Sequence, residues 1–200
     1  MNQYATHPQL VERVPGLANR GVLDVDDALI GASRWIDGYC HRKFWLDPEP
    51  TIRYFATSDL YRLNLGPHEI GDATGVDIDV DDGTGAFATQ LAGSAYQLEP
   101  VNAPFNTKGP APFTSVRRLD AAWPYALSAS GRQERIRITA RYGWPEIPAG
   151  VHEATLTLTI DRFENPGGAR SEAIDGYSVS YQALATVTPM LAFARRLWAA

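Results

Sequence analysis

The sequence predicts an α+β fold in which helical segments from both ends of the chain flank a β-rich insertion. Three observations predict it: apolar residues at three- and four-residue steps after Asp24, short β-like runs between residues 51 and 142, and an Asp-Gly pair between two alternating segments near the C-terminal end. Apolar residues make up 44% of the 200, so a substantial core can be buried. Glycine 17 and proline 14 call for many turns, which weighs against an all-helical bundle.

Residues 8–14 form the first expected helix, stopped by Pro15-Gly16, a pair that cannot continue a helical turn. The second is expected from Asp24 as its cap, with Val25, Leu29, Ala32, Ile36 and Tyr39/Cys40 on one face and Arg34, Asp37 and Arg42 toward water. Together the two make a helical hairpin. From residue 51 the pattern shortens, with strands expected at 52–56, 60–65, 76–80, 87–91, 95–98 and 135–142. Residues 100–112 carry four prolines and read as an exposed excursion.

After Pro148, the run Ala154-Thr155-Leu156-Thr157-Leu158-Thr159-Ile160 alternates as a strand does. The same stretch has Val151, Ala154, Leu158 and Phe163 at helical spacing, so periodicity leaves both states open, while its length favours a helix. Asp175-Gly176 supplies the positive φ angles of a tight hairpin turn between residues 171–174 and 177–181. Thr188-Pro189 then offers a cap and a first-turn proline for a terminal helix over 190–198. The expected domains are 1–50 and 143–200 as the two halves of a helical core, the latter with a hairpin at 170–181, and 51–142 as the insertion.

Charge and chemistry narrow the function classes. With 18 basic and 23 acidic side chains the net charge is −5, which disfavours binding nucleic acid through a basic face. One cysteine, Cys40, excludes an intrachain disulfide and is expected to pack as a small apolar group. The N-terminal residues lack a secretory pattern, so a soluble protein made in the cytosol is expected.

Asp77, Asp79, Asp81 and Asp82 suggest a calcium loop, but the register puts Asp82 where glycine is needed and Ala88 where a bidentate glutamate is needed. A strand with Val76, Ile78 and Val80 inward, aspartates outward, and a turn at residues 82–85 explains them instead. His7, His41, His68 and His152 lack ligand spacing, no phosphate loop or nucleophile elbow occurs, and Glu99, Asp120 and Glu153 form no acid/base pair on one element. No metal, cofactor or catalytic residue is therefore expected. Some of Trp35, Tyr39, Phe44, Trp45, Tyr142 and Trp144 are expected in the core, but together they exceed what a small core needs and suggest an interface. A terminal helix holding Leu191, Phe193, Leu197 and Trp198 beside Arg195 and Arg196 is open to two readings, docking on its own domain or on a partner.

Three stretches in matching order carry a family resemblance. They are Ala32-Ser33-Arg34-Trp35-Ile36-Asp37-Gly38-Tyr39-Cys40, Arg141-Tyr142-Gly143-Trp144-Pro145 with Ile147-Pro148, and Arg170-Ser171-Glu172 through Asp175-Gly176-Tyr177-Ser178-Val179-Ser180-Tyr181. About half the chain in these stretches resembles the head-to-tail connector adaptors, or head-completion proteins, of long-tailed double-stranded DNA bacteriophages, especially the longer actinobacterial-phage type. The chain departs from that pattern at Asn165-Pro166-Gly167-Gly168, which stands in place of a more charged linker.

The resemblance implies a small helical core of about four helices, an inserted antiparallel β domain, and residues 149–163 as helix. It also implies a non-enzymatic virion protein of the neck, assembled in the host bacterial cytoplasm. Its partners would be itself, in a ring of twelve under the portal, then the portal, and a downstream stopper or tail-terminator protein, with DNA passing through unbound. Leu191, Phe193, Arg195, Arg196, Leu197 and Trp198 become candidates for portal docking. The hairpin residues Ser171, Glu172, Ile174, Asp175, Gly176, Tyr177, Val179 and Tyr181 become candidates for an inter-subunit contact, because an isolated hairpin is marginal. A carbohydrate- or receptor-binding β module of a virion is the alternative, with exposed aromatics as stacking platforms.

Overall fold

The computed structural model describes residues 2–106, 109–124, 131, 133–165, 171–174 and 177–192, and between 171 and 181 its backbone pairing only. The chain divides into two compact units, Met1–Phe44 with Ile147–Ala200, and Trp45–Glu146. The fold is mixed α+β, with four α-helices and antiparallel sheets among the described residues.

The first unit holds α1 (His7–Arg13), α2 (Val22–Cys40), α3 (Ala149–Glu164), the strands β8 (Ser171–Ile174) and β9 (Tyr177–Ser180), and α4 (Tyr181–Leu191); β1 to β7 belong to the second unit. Thr6 and Gln9 close a capping box on α1. In α2 the stripe Val25, Leu29, Ala32, Ile36 and Cys40 is buried, as the spacing predicts. The helix starts before Asp24, however: Gly21 is the N-cap and Asp24 lies in the first turn, where a carboxylate suits the positive end of the helix dipole. Leu10, Leu17, Val25, Leu29 and Leu156 form part of this unit's core.

Residues 149–164 are helical. The alternating threonines fit a helix because Thr155, Thr157 and Thr159 each donate their hydroxyl to the carbonyl four residues back, at 2.8, 2.9 and 2.8 Å. Thr155 and Thr159 are buried with their hydroxyls satisfied in this way. β8 and β9 pair antiparallel with Ile174 opposite Tyr177, and the hairpin runs beside α2, α3 and α4 of its own chain. Thr188-Pro189 does not open a helix. α4 already begins at Tyr181 and Pro189 lies within it, the stripe Ala183, Val187 and Leu191 being buried at helical spacing.

The second unit is a two-sheet β structure. Its strands are β1 (Thr51–Phe55), β2 (Arg62–Asn64), β3 (Ile70–Val80), β4 (Thr89–Gln90), β5 (Tyr96–Glu99), β6 (Ser115–Arg118) and β7 (Ile136–Tyr142). The orders are β1-β7-β3-β4 and β2-β6-β5, all antiparallel. Ile136, Ile138, Ala140 and Tyr142 alternate inward on β7 and meet Val76, Ile78 and Val80 of β3 and Leu63 and Val116 of the smaller sheet in one core. β3 is longer than residues 76–80 because a register irregularity lets the glycine-containing stretch 71–75 continue beside β7. The 100–112 excursion contains a short 3-10 turn at Ala103–Phe105, with Phe105 exposed.

Two expectations are corrected. Asp81 does not face water: it is buried, with Oδ1 accepting the N–H groups of Gly83 and Gly85 at 2.7 and 2.9 Å, and Arg135 beside its other oxygen. Most of the aromatic surplus is also internal, since Trp35, Phe44, Tyr142 and Trp144 are buried and Tyr39 stacks on Trp35 at 5.1 Å.

Candidate assembly surfaces

The N-terminal segment is strapped along α2 by polar contacts that the hydrophobic spacing does not reveal. The Tyr4 backbone N–H donates to Ser33 Oγ at 3.0 Å and Arg34 Nη2 donates to the Asn2 carbonyl at 2.9 Å. The Tyr4 hydroxyl donates to Asp37 and accepts from the Phe44 N–H at 2.8 Å, and its ring meets Phe44 edge-on at 5.8 Å. The helical spacing predicts Asp37 on the wet face. It is instead only 18% exposed, with Arg34 Nε 2.9 Å from its second oxygen.

Burial raises the Asp37 carboxyl to about 6, against the opposing pull of the Tyr4 hydroxyl, Arg34 and Lys43. Burial likewise pushes the Tyr4 phenol far above its ordinary range. Between the ordinary carboxyl value of 3.8 and about 6, the folded chain binds a proton that the unfolded chain has lost. The stabilisation this gives is therefore complete below 3.8 and disappears as pH rises through about 6. Asp37→Asn should flatten this decline: urea titrations from pH 4 to pH 7 should show the parent losing roughly 2 to 3 kcal/mol more than the variant. Tyr4→Phe removes two partners at once and should cost about 2 kcal/mol by the same measurement at pH 7.

In the second unit the outer face of the larger sheet is set by the strand register. Ile52, Thr139 and Asp77 form one row, and Tyr54, Arg137, Asp79 and Gln90 the next. Ile52 and Tyr54 are exposed on β1, an edge strand, and Tyr54 meets Phe87 at 5.4 Å while Arg137 lies over the same Phe87 ring at 5.2 Å. The outer row of the smaller sheet is Arg62, Arg117 and Gln97, all exposed. Leu60, Tyr61 and Leu119 add exposed apolar area near it, held by the bond from the Arg118 N–H to the Tyr61 carbonyl at 2.7 Å.

Of the portal-docking candidates, Leu191 is buried at the end of α4, and Phe193, Arg195, Arg196, Leu197 and Trp198 lie outside the described residues. Among the hairpin candidates, Ser171, Glu172 and Ile174 lie on β8, Tyr177 and Val179 on β9, and Tyr181 opens α4, while Asp175 and Gly176 lie outside the described residues. Among the described residues no group of His, Cys, Asp or Glu is placed to hold a metal ion. Glu99, Asp120 and Glu153 are each engaged by an arginine, Arg62, Arg118 and Arg13 respectively. No helix is long and apolar enough to cross a membrane among the described residues.

The fold has solved counterparts. The chain is similar to a chain in a structure described as the neck of the native GTA particle computed with C12 symmetry, at 15% identity and a TM-score of 0.54, over 100% of this chain and 97% of that one. It is also similar to one from the neck of the empty GTA particle computed with C6 symmetry, at 16% identity and 0.52, over 92% and 84%. A third, from the virion of the native gene transfer agent particle, gives 17% and 0.50 over 92% and 84%. At these identities the likeness shows a shared fold across both units. No family model and no curated protein matches the chain.

Proposed function

We propose that this protein is a structural component of the neck of a phage-like particle, a head-to-tail connector adaptor of the longer, actinobacterial-phage kind that the sequence resembles. It works by assembling into a ring under the portal, extending the DNA channel and offering a platform to the next connector or the tail. It catalyses no reaction. The observation that carries this reading is the fold shared, over the whole chain, with a protein of a neck computed with twelve-fold symmetry.

The charge fits the role. Twelve copies at −5 sum to −60, so a ring of this chain presents DNA with a repulsive wall along which it can slide. A ring also needs two different patches on each subunit that meet head to tail and close by rotation. The terminal segment through Leu197 and Trp198 is the proposed portal contact, and the β8–β9 hairpin a proposed contact with the adjacent subunit. Mass spectrometry of purified particles should find the chain in amounts matching one ring per particle, and antibody labelling should mark the junction of head and tail. Particles that lack the chain, or carry it along the tail or over the capsid, would overturn the reading.

A further inference from the structure

Among the described residues, the arginines of the β unit follow one rule with a single exception. Arg53 pairs with Asp47 at 3.6 Å, Arg62 with Glu99 at 2.7 Å and Arg118 with Asp120 at 2.9 Å. Arg135 pairs with Asp81 at 3.4 Å, Arg137 with Asp79 at 3.1 Å and Arg141 with Asp72 at 3.2 Å. Arg117 alone, among the described residues of this unit, has no carboxylate. It is exposed at the middle of the outer row of β2-β6-β5, directly opposite Arg62, where two like charges side by side cost stability. Glu99 neutralises Arg62 in that pair, whereas Arg117 has no carboxylate beside it among the described residues.

The larger sheet carries the complement. Asp77 is exposed in the row Ile52, Thr139, Asp77, where it accepts a bond from the Gln90 side-chain amide at 3.2 Å and, among the described residues, has no cation beside it. Its neighbours on the same face, Asp79 and Asp72, are both paired with arginine. Because the inner faces of the two sheets share one core, their outer faces look away from that core in different directions. Among its described residues the unit thus bears an unmatched cation on one outer sheet face and an unmatched carboxylate on the other.

We infer that these two faces meet between adjacent copies of this chain, with Arg117 of one subunit paired to Asp77 of the next. The inference rests on the ring proposed above and names the contact that closes it. Two unlike patches joined head to tail are what a closed ring requires, and the exposed apolar Ile52 lies in the same row to be covered by the contact. Pairing also gives Arg117 the counter-charge that Arg62 already has in Glu99, so the two like charges then face each other with a carboxylate beside each.

The test is charge reversal in the full chain, scored by electron microscopy as rings formed on the portal of the same particle across a concentration series. Arg117→Glu and Asp77→Arg should each raise the concentration for half-assembly by about tenfold or more, since like charges brought together cost more than 1.4 kcal/mol. The double variant should recover most of the loss. Melting of Arg117→Glu alone should match or exceed the parent, because the repulsion from Arg62 is gone. Unchanged assembly in either single variant, or no recovery in the double, would overturn this contact and leave the ring standing. Failure of the unsubstituted chain to form rings would overturn the ring itself.

Discussion

Gly143→Ala should destroy the β unit's native packing, lowering stability by on the order of 4 kcal/mol. Gly143 follows β7 with φ of +115°, a region open to glycine and strained for any other residue. A Cβ there would lie 1.8 Å from the Trp45 carbonyl oxygen and 2.9 Å from its carbon, and neither backbone atom can turn aside. The surroundings are fixed by hydrogen bonds, from the Asp47 N–H to the Tyr142 carbonyl and from the Gly143 N–H to the Glu69 carbonyl, both 2.8 Å. Trp144 Nε1 adds a bond to the Glu69 carboxylate at 3.2 Å. Gly66→Ala is the control: its φ of +57° is also left-handed but its Cβ meets nothing within 4 Å, so it should cost only about 1 kcal/mol. Chemical denaturation followed by tryptophan fluorescence would separate the two, and equal losses would refute the steric account.

Arg135→Met should cost about 3 to 5 kcal/mol, because it leaves the buried Asp81 carboxylate without its cation. Asp81 organises the turn after β3: its Oδ1 holds the Gly83 and Gly85 N–H groups, its own N–H donates to the Arg135 carbonyl at 3.0 Å, and Arg135 Nη2 donates back to the Asp81 carbonyl at 3.0 Å. Replacing both members, Arg135→Met with Asp81→Asn, removes the stranded charge and keeps an acceptor for the glycines, so it should recover a good part of the loss. A double variant no better than Arg135→Met alone would show that the ion pair is not what matters.

Much of the fold was legible because its elements carry their own period. β7 reads Ile-Arg-Ile-Thr-Ala-Arg-Tyr, with every second residue inward, and α2 shows its buried stripe at three- and four-residue steps. The sequence does not reveal β6, because Ser-Val-Arg-Arg has a single strongly apolar residue, Val116, and becomes a strand only between β2 and β5. α3 was ambiguous because alternating threonines mimic a strand until their hydroxyls bond back to the helix. The surfaces were harder to foresee. Tyr4 and Asp37 lie thirty-three residues apart, and no local pattern predicts their bond. That Arg117 has no carboxylate among the described residues is visible only after tertiary pairing has supplied one to Arg53, Arg62, Arg118, Arg135, Arg137 and Arg141. The stretch Arg141-Tyr142-Gly143-Trp144 was legible only as part of a resemblance, and the structure explains its glycine by the close passage of backbone past Gly143.

Assembly is the claim on which the functional account stands. Electron microscopy of the purified full chain mixed with the portal of the same particle tests it directly. The expected image is a ring of twelve copies stacked coaxially on the portal, with an open channel through both. A chain that stays apart from the portal at high concentration, or that binds it as scattered single copies without closing a ring, would contradict the account.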